Sequence, residues 1–281
     1  MININGELLS PEQSTISYLN RGFQYGDALF ETIRVINSKI IFWESHYFRL
    51  MSSMRLLRMQ IPMEFSPEFL EERILELIKK NNLEKDPAKV KINVNRKFGG
   101  LYKPNTNEID YILSCETIAS PFFTLENNFY ETELFKDHFI TSGLLSTLKT
   151  NNKLVNILGS IYADENDYDN CILLNEKKSV VEFTNANIFL VKDNIIKTPP
   201  LSDGCLKGVI REKLIEIIKN SDDYELKEES ISPFELQKAD EMFMTNAIIG
   251  IQNVSKYRKK EYSSKVAKSL IGKLNAQSRL A

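Results

Sequence analysis

The chain has 281 residues and a formal net charge of -2, with 42% hydrophobic and 26% charged residues. This composition is typical of a globular protein, and a chain of this length forms one large domain or two moderate ones, of which we expect two. The small net charge provides no broad field that attracts nucleic acid or acidic membranes. We therefore expect small-molecule partners, and neither a nucleic acid nor a membrane.

Three cysteines, Cys115, Cys171 and Cys205, lie far apart and lack metal-ligand spacing. This pattern predicts neither a disulfide framework nor a zinc site, and we expect buried, reduced thiols. The opening residues MININGELLSPEQ lack the basic and apolar regions of a signal peptide, and no apolar run approaches about 18 residues. These features favour a cytoplasmic location.

Turn signals and helical patterns in the first part of the chain predict an α+β unit. The dipeptides Asn5-Gly6 and Asn37-Ser38 each lie between strand-like segments, and a helical pattern follows from Glu44 to about Arg58. The segment SPEFLEERILELIKK is a clear helix with Ser66 as N-cap and an apolar face of Leu70, Ile74, Leu77 and Ile78. The segments KVKINVNR and IDYILSCETI then predict paired strands.

An irregular stretch at residues 119–128 divides the chain into a smaller N-terminal α+β domain, 1–118, and a larger C-terminal domain, 129–281. In the second part we predict a helix from about Asn152 to Ala163. The predicted strands are NCILLNE, VVEFTNANIFLV and NIIKTP. A helix GVIREKLIEIIKN and the segment DEMFMTNAIIGI, a strand running into a loop, follow them.

Lys149 is a candidate nucleophile because Gly143 to Leu148, the run before it, is mostly apolar and predicts burial. A lysine whose pKa is lowered by burial or by neighbouring cations forms Schiff bases with carbonyl compounds, including pyridoxal phosphate. By position alone an exposed, solvated lysine is the commoner outcome. Lys153, four residues further on, has the surroundings of a surface charge.

A pyridoxal enzyme also needs an acid for the pyridine nitrogen and donors for the phosphate. Glu182 lies inside the apolar segment VVEFTNANIFLV and is either that acid or an edge-strand residue facing water. Gly208 opens a helix whose Val209 and Ile210 amides suit an anion, although a glycine before a helix is more often a simple turn. Arg49 offers a guanidinium fork for phosphate, or is a solvated helix residue.

Taken in order, the segments NRGFQYGDALFETIRV, HYFRL, LKTNNKL, VVEFTNANIF and FMTNAIIGI resemble the class IV aminotransferase family. The family comprises fold-type IV pyridoxal phosphate enzymes such as branched-chain aminotransferases, D-amino acid transaminases and aminodeoxychorismate lyases. The resemblance covers nearly the whole chain. It implies a two-domain α+β fold like that of D-amino acid aminotransferase, pyridoxal 5'-phosphate as cofactor and a homodimer with sites near the subunit interface.

By position, the resemblance implies that Lys149, in the C-terminal domain, forms the lysine aldimine and moves the substrate Cα proton. It implies that Glu182 pairs with the pyridine nitrogen and that Arg49 binds phosphate. The other cofactor-binding residues that it implies are Asn187, Gly208, Val209, Ile210, Asn246 and Ala247. The substrate-binding residues that it implies are Phe30, Lys91, Arg96, Ala247 and Ile248.

Three departures from family patterns bear on the reaction, and one of them is Phe23, where the lyase-like members often have a threonine. Branched-chain aminotransferases have a tyrosine where this chain has Leu154, and D-amino acid transaminases have a substrate-binding arginine and histidine where NRKFGGLYKP offers Leu101 and Lys103. We expect amino-group transfer from an amino acid to a 2-oxo acid. The alternative is an aminodeoxychorismate lyase that releases pyruvate and 4-aminobenzoate in folate biosynthesis, which NRKFGGLYKP and the TNA tripeptide at Thr245 resemble.

Overall fold

A computed structural model describes residues 1–126 and 128–280. Asn127, in the predicted linker, and Ala281, at the end of the predicted second domain, lie outside the described residues. The chain forms two compact units. The first contains Met1–Pro121 and Lys149–Asn152, and the second contains Phe122–Leu148 and Lys153–Leu280.

The first unit is built on a six-stranded antiparallel sheet in the order β2-β1-β6-β5-β3-β4. Its strands are β1 (Ile2–Ile4), β2 (Glu7–Leu9), β3 (Ala28–Ile36), β4 (Lys39–Ile40), β5 (Ala88–Arg96) and β6 (Ile109–Thr117). Both predicted hairpin turns are confirmed. Asn5 and Gly6 have φ of 51° and 93°, and Asn37 and Ser38 have φ of 48° and 59°, as two-residue turns that follow the strand twist require.

Three helices accompany this sheet: α1 (Arg21–Tyr25), α2 (Trp43–Leu56) and α3 (Pro67–Lys80). The predicted start of α3 is confirmed, because the Ser66 side chain accepts the Phe69 N–H at 3.2 Å. Its four predicted apolar residues are fully buried. Helix α2 begins one residue before the predicted Glu44 and ends before Arg58.

The second unit contains a ten-stranded sheet and four helices. In the main path the strands follow the order β12-β11-β10-β9-β8-β7-β15-β16, and β13 pairs with both β10 and β14. The strands are β7 (Glu131–Leu134), β8 (Asn170–Leu174), β9 (Val180–Phe183), β10 (Asn187–Lys192), β11 (Ile195–Thr198), β12 (Glu225–Glu228), β13 (Glu241–Asn246), β14 (Gly250–Asn253), β15 (Lys256–Tyr257) and β16 (Lys260–Glu261). The helices are α4 (Leu154–Glu165), α5 (Val209–Lys219), α6 (Pro233–Leu236) and α7 (Lys265–Leu280).

Two elements of the second unit differ from the sequence prediction. The segment VVEFTNANIFLV is a hairpin, because β9 and β10 pair antiparallel around a turn in which the Phe183 N–H donates to the Ala186 carbonyl at 2.8 Å. Helix α7 was not predicted. Its first turn is capped from a distance by Glu241, whose carboxylate accepts the N–H groups of Val266 and Ala267 at 3.0 to 3.2 Å.

The lysine segment lies with the first unit, whereas the sequence analysis placed it in the C-terminal domain. The Phe30 N–H donates to the Lys149 carbonyl at 2.9 Å, and the Asn151 N–H donates to the Ala28 carbonyl at 3.0 Å. These bonds add residues 149–152 to the edge of β3 by backbone pairing. No helix in the described part of the chain is long and apolar enough to cross a membrane.

Candidate active site

The predicted nucleophile lies directly over an aromatic ring of β3. The Lys149 Nζ is 4.3 Å from the centroid of the Phe30 ring, and Lys149 is half-buried. The basis on which burial was predicted is wrong, because Leu144 and Leu145 are 60% and 67% exposed. The lysine is instead sheltered by its pairing with β3 and by the face of the Phe30 ring.

A second lysine lies near the same ring. Lys91, on the neighbouring strand β5, pairs with Thr32 and places its Nζ 5.0 Å from the Phe30 centroid. Residues 30, 32 and 91 project from the same face of the sheet because side chains alternate along a strand. Of the residues predicted to bind substrate, Phe30 therefore contacts Lys149, and Lys91 approaches the same ring from the neighbouring strand.

The side chain of Arg49 is only 9% exposed and forms an ion pair, rather than being the solvated side chain that its helical position favoured. Its Nε donates to Glu31 Oε1 at 2.8 Å and its Nη2 donates to Glu31 Oε2 at 2.6 Å. His46, one turn earlier on α2, places Nδ1 2.7 Å from Glu31 Oε2. The three side chains are at most 9% exposed, so they form one buried polar cluster.

Electrostatics fix the charge states in this cluster. Burial raises the pKa of the Glu31 carboxyl, but the charge of Arg49 and the hydrogen bonds from His46 and Arg49 outweigh burial and lower that pKa to about 2. Burial lowers the pKa of His46 below its ordinary value. The charges of Arg49 and Lys149 lower this pKa further, whereas Glu31 raises it. At neutral pH the cluster is thus an ionised Glu31–Arg49 pair with a neutral His46.

Sequence reasoning missed Glu31 and His46, although both leave a signal. Glu31 is an acid inside the strand segment ALFETIRVI, and His46 is one of only two histidines in the chain. The spacing of three residues between His46 and Arg49 places them on one face of α2. A buried acid facing that helix face identifies the cluster, but only the pairing of strand and helix brings the groups together.

Arg96, predicted to bind substrate, has a structural position. Its guanidinium donates to Asp27 Oδ2 at 3.0 Å, to Asn107 Oδ1 at 2.7 Å and to the Leu57 carbonyl at 2.7 Å, and the residue is 7% exposed. Each of its three guanidinium nitrogens thus donates to a group of the first unit, and Nη1 donates to a second acceptor, the Arg58 carbonyl. This geometry favours a role in holding the fold and speaks against contact with substrate.

In the second unit, Glu182 is a buried acid and not an edge residue facing water. It is 6% exposed, and its Oε2 accepts the Leu206 N–H at 2.9 Å. Strand pairing places Glu182 opposite Asn187, and Asn187 opposite Thr245. These three polar residues therefore form a row across β9, β10 and β13, on one face of the sheet.

Asn187 connects this row to the start of α5. Its Nδ2 donates to the Leu206 carbonyl at 2.9 Å, and a Cβ added at Gly208 would overlap its amide oxygen. Gly208 is the N-cap of α5, and because glycine has no side chain it cannot cap the first amides of the helix. The backbone amides of Val209 and Ile210 thus open the helix, where the helix dipole favours an anion.

The second predicted turn, after β13, is closed by its own asparagine. Asn246 Oδ1 accepts the N–H groups of Ile248 and Ile249 at 3.0 and 2.9 Å. Its Nδ2 donates to the Asn185 carbonyl in the β9–β10 turn. The amide of Ile248 is therefore used within the turn, and an anion-binding role for this segment depends on Asn246 and Ala247.

The two-sheet α+β fold is the architecture of fold-type IV enzymes, and Lys149 and the start of α5 are residues that the sequence predicted for the site of such an enzyme. Residues 28–257 match the model of the amino-transferase class IV family. The chain belongs to this family. The match confirms the predicted family, the enzyme class and the pyridoxal 5'-phosphate cofactor.

Relatives of the chain carry more than one reaction name. A Methanocaldococcus jannaschii protein with the provisional name of branched-chain-amino-acid aminotransferase is 30% identical over 87% of this chain and 83% of its own length. The aminodeoxychorismate lyase of Vibrio harveyi is 27% identical over 86% of this chain and 88% of its own. The crystal structure of a Thermoproteus uzoniensis branched-chain aminotransferase aligns with a TM-score of 0.86 and 22% identity, over 97% of this chain and 92% of its own, which confirms the predicted fold.

Proposed function

We propose that this protein is a pyridoxal 5'-phosphate-dependent aminotransferase that moves the amino group of an amino acid to a 2-oxo acid. The observation that carries the proposal is the position of Lys149, half-buried over the Phe30 ring. Pairing with β3 and contact with the Phe30 ring fix the position of the Lys149 amine, and a lysine amine held in place can form a Schiff base with a carbonyl compound such as pyridoxal phosphate. Lys149 would bind the cofactor covalently and, once released by substrate, move the Cα proton.

The residues of the second unit suit the pyridine and phosphate groups of this cofactor. Glu182 is buried and accepts a backbone N–H, so its carboxylate offers a fixed acceptor for a protonated ring nitrogen. The helix start after Gly208, which has no side-chain cap, offers backbone donors to phosphate through Val209 and Ile210. When bound, the cofactor supplies an electron sink for the substrate Cα carbanion.

Arg49 and Asn187 complete the proposed cofactor set in different ways. Arg49 is a cation held by Glu31, and in this proposal it donates to the phosphate. Asn187 donates to the Leu206 carbonyl, so it keeps the loop before Gly208 in place. Asn246 and Ala247 would contact the phosphate or the substrate carboxylate from the second turn.

A second reaction, the release of pyruvate from aminodeoxychorismate, is the alternative. The observation that favours it is Lys91, whose Nζ lies 5.0 Å from the centroid of the Phe30 ring, because a cation in this position can bind a carboxylate of the lyase substrate. The Vibrio harveyi relative carries that name. We place transamination first, since the lyase is a narrower use of the same lysine.

Product analysis with purified enzyme separates the two reactions. We would incubate the cofactor-loaded enzyme with single L- and D-amino acids and follow conversion of the cofactor to pyridoxamine phosphate, and in parallel assay pyruvate release from aminodeoxychorismate. Transamination predicts pyridoxamine phosphate with at least one amino acid. Rapid pyruvate release without pyridoxamine phosphate would instead establish the lyase.

We also propose a homodimer in the cytoplasm. Helix α4 has an exposed apolar stripe of Leu154, Ile157, Leu158 and Ile161, which are 41% to 74% exposed, and such a stripe is typical of a surface covered by a partner. The three cysteines form no disulfide, as expected in a reducing compartment. Light scattering would test the dimer, and a monomeric mass with full activity would contradict it.

A further inference from the structure

We infer that Glu31 and His46 are positioning residues that hold the Arg49 guanidinium in the orientation in which it binds a phosphate group. The inference rests on the proposed function, because the phosphate is that of the proposed cofactor. Neither Glu31 nor His46 is itself expected to touch the cofactor. They act through Arg49, so removing them should affect recognition of the phosphate group and leave recognition of the pyridine ring in place.

The ion pair between Glu31 and Arg49 has a side-on geometry. Glu31 binds Arg49 through Nε and Nη2, at 2.8 and 2.6 Å, which are the two nitrogens on one edge of the planar guanidinium. Two parallel hydrogen bonds fix the plane of the fork, whereas a single bond leaves it free to rotate. The Nη1 edge is therefore directed away from the Glu31 carboxylate.

His46 in turn holds the Glu31 carboxylate in place. Because Glu31 is ionised, the His46 Nδ1, 2.7 Å from Oε2, must carry the proton and donate it. Glu31 is thus held by a neighbour on the same helix as Arg49, and the backbone of β3 supplies the third fixed point.

Orientation and charge predict opposite effects of Glu31 on the binding of phosphate by Arg49. Glu31 offsets the positive charge of Arg49, so if charge alone mattered, replacing Glu31 by glutamine would strengthen phosphate binding. If orientation matters, the same change weakens binding, because a flexible arginine must be ordered each time. The side chains of Glu31 and Arg49 are only 2% and 9% exposed, so the guanidinium has little water to stabilise it in the absence of its partner.

The test measures cofactor affinity by the apoenzyme, without using activity. Dissociation constants for pyridoxal 5'-phosphate and for pyridoxal, which lacks the phosphate, would be measured for wild type, Glu31→Gln, Arg49→Lys and the double variant. A lost charge-assisted hydrogen bond costs about tenfold in affinity. We expect Glu31→Gln to weaken pyridoxal 5'-phosphate binding about tenfold, with pyridoxal unchanged, and to add nothing in the Arg49→Lys background.

His46→Gln is a milder second variant, in case Glu31→Gln does not fold. It keeps Glu31 and removes only its support, so we expect the same selective loss at a smaller size, while the exposed His138 gives a matched control in His138→Gln. Equal weakening of pyridoxal and pyridoxal 5'-phosphate, or tighter phosphate binding in Glu31→Gln, would overturn the inference. If wild type binds neither compound, the proposed function itself is refuted.

Discussion

Lys149 and Phe30 are joined twice, once through the backbone and once through their side chains. The Phe30 N–H donates to the Lys149 carbonyl at 2.9 Å, and the Lys149 Nζ lies 4.3 Å from the ring centroid. The lysine is therefore held by pairing with a strand, and it precedes helix α4 rather than lying on it. Its position depends on residues more than a hundred positions earlier in the chain.

Replacing this lysine should abolish covalent attachment of the cofactor. We expect Lys149→Ala to lose the absorption band of the cofactor-lysine link, and to retain no cofactor after borohydride reduction and denaturation, because the variant lacks the amine that forms this link. Lys153→Ala is the matched control, four residues further on, and should keep both signals. Mass spectrometry of the reduced proteins reads the result, and a cofactor adduct on Lys149→Ala would refute the assignment.

A side chain at position 208 should displace Asn187, one of the polar residues in the row across β9, β10 and β13. The new Cβ of Gly208→Ala would overlap the Asn187 amide oxygen and displace the hydrogen bond to the Leu206 carbonyl. We expect a loss of roughly 1–3 kcal/mol in the free energy of unfolding, with weaker cofactor binding.

Gly272→Ala is the matched control for this change, since the Cβ it would add lies more than 4 Å from the described residues, apart from its chain neighbours and the backbone of its own helix. In the interior of α7 it should stabilise the protein by roughly 0.5–1 kcal/mol. Urea unfolding of both variants makes the comparison. Equal effects of the two substitutions would contradict a special role for Gly208.

The Glu31–His46 pair should make the protein less stable in acid. Both groups have folded-state pKa values below those of the unfolded chain, so the unfolded chain binds more protons and stability falls as the pH falls. The His46 contribution is lost below about pH 6.5, and the Glu31 contribution is lost from about pH 4.5 towards pH 2.

Urea unfolding at a series of pH values between 7 and 4 tests this expectation. Since His46→Gln removes the group that titrates first, its stability should fall less than that of wild type between about pH 6.5 and 4.5. His138→Gln should follow wild type. Parallel pH curves for wild type and His46→Gln would show that His46 does not titrate as inferred.

Arg21 should hold the loop that follows β5. Its guanidinium donates to the Gly99 and Leu101 carbonyls at 3.1 and 2.6 Å and to Asp27 at 2.9 Å. Because a lysine lacks the fork needed for these bonds, Arg21→Lys should loosen the loop by roughly 1–3 kcal/mol. We expect faster chymotryptic cleavage after Tyr102, an exposed residue of this loop, whereas the exposed Arg55→Lys should cleave like wild type. Unchanged cleavage in Arg21→Lys would contradict the assignment.

Local chemistry by itself determined several elements correctly. The turns at Asn5-Gly6 and Asn37-Ser38 and the helix after Ser66 depend on residues within a few positions of one another, so their signals are complete in the sequence. The helix start after Gly208 is also local. Lys149, Glu182 and Arg49 were named from short segments because the family pattern retains their residue types at characteristic spacings.

Tertiary structure alone decided what surrounds those residues. Glu182 is buried because β9 folds back on β10, and Arg49 pairs with Glu31 because α2 packs beside β3. Arg96 forms an ion pair with Asp27, nearly seventy positions away, and the start of α7 is capped by Glu241 of strand β13. Charge state and burial depend on neighbours that are distant in sequence, and a segment read by itself cannot contain them.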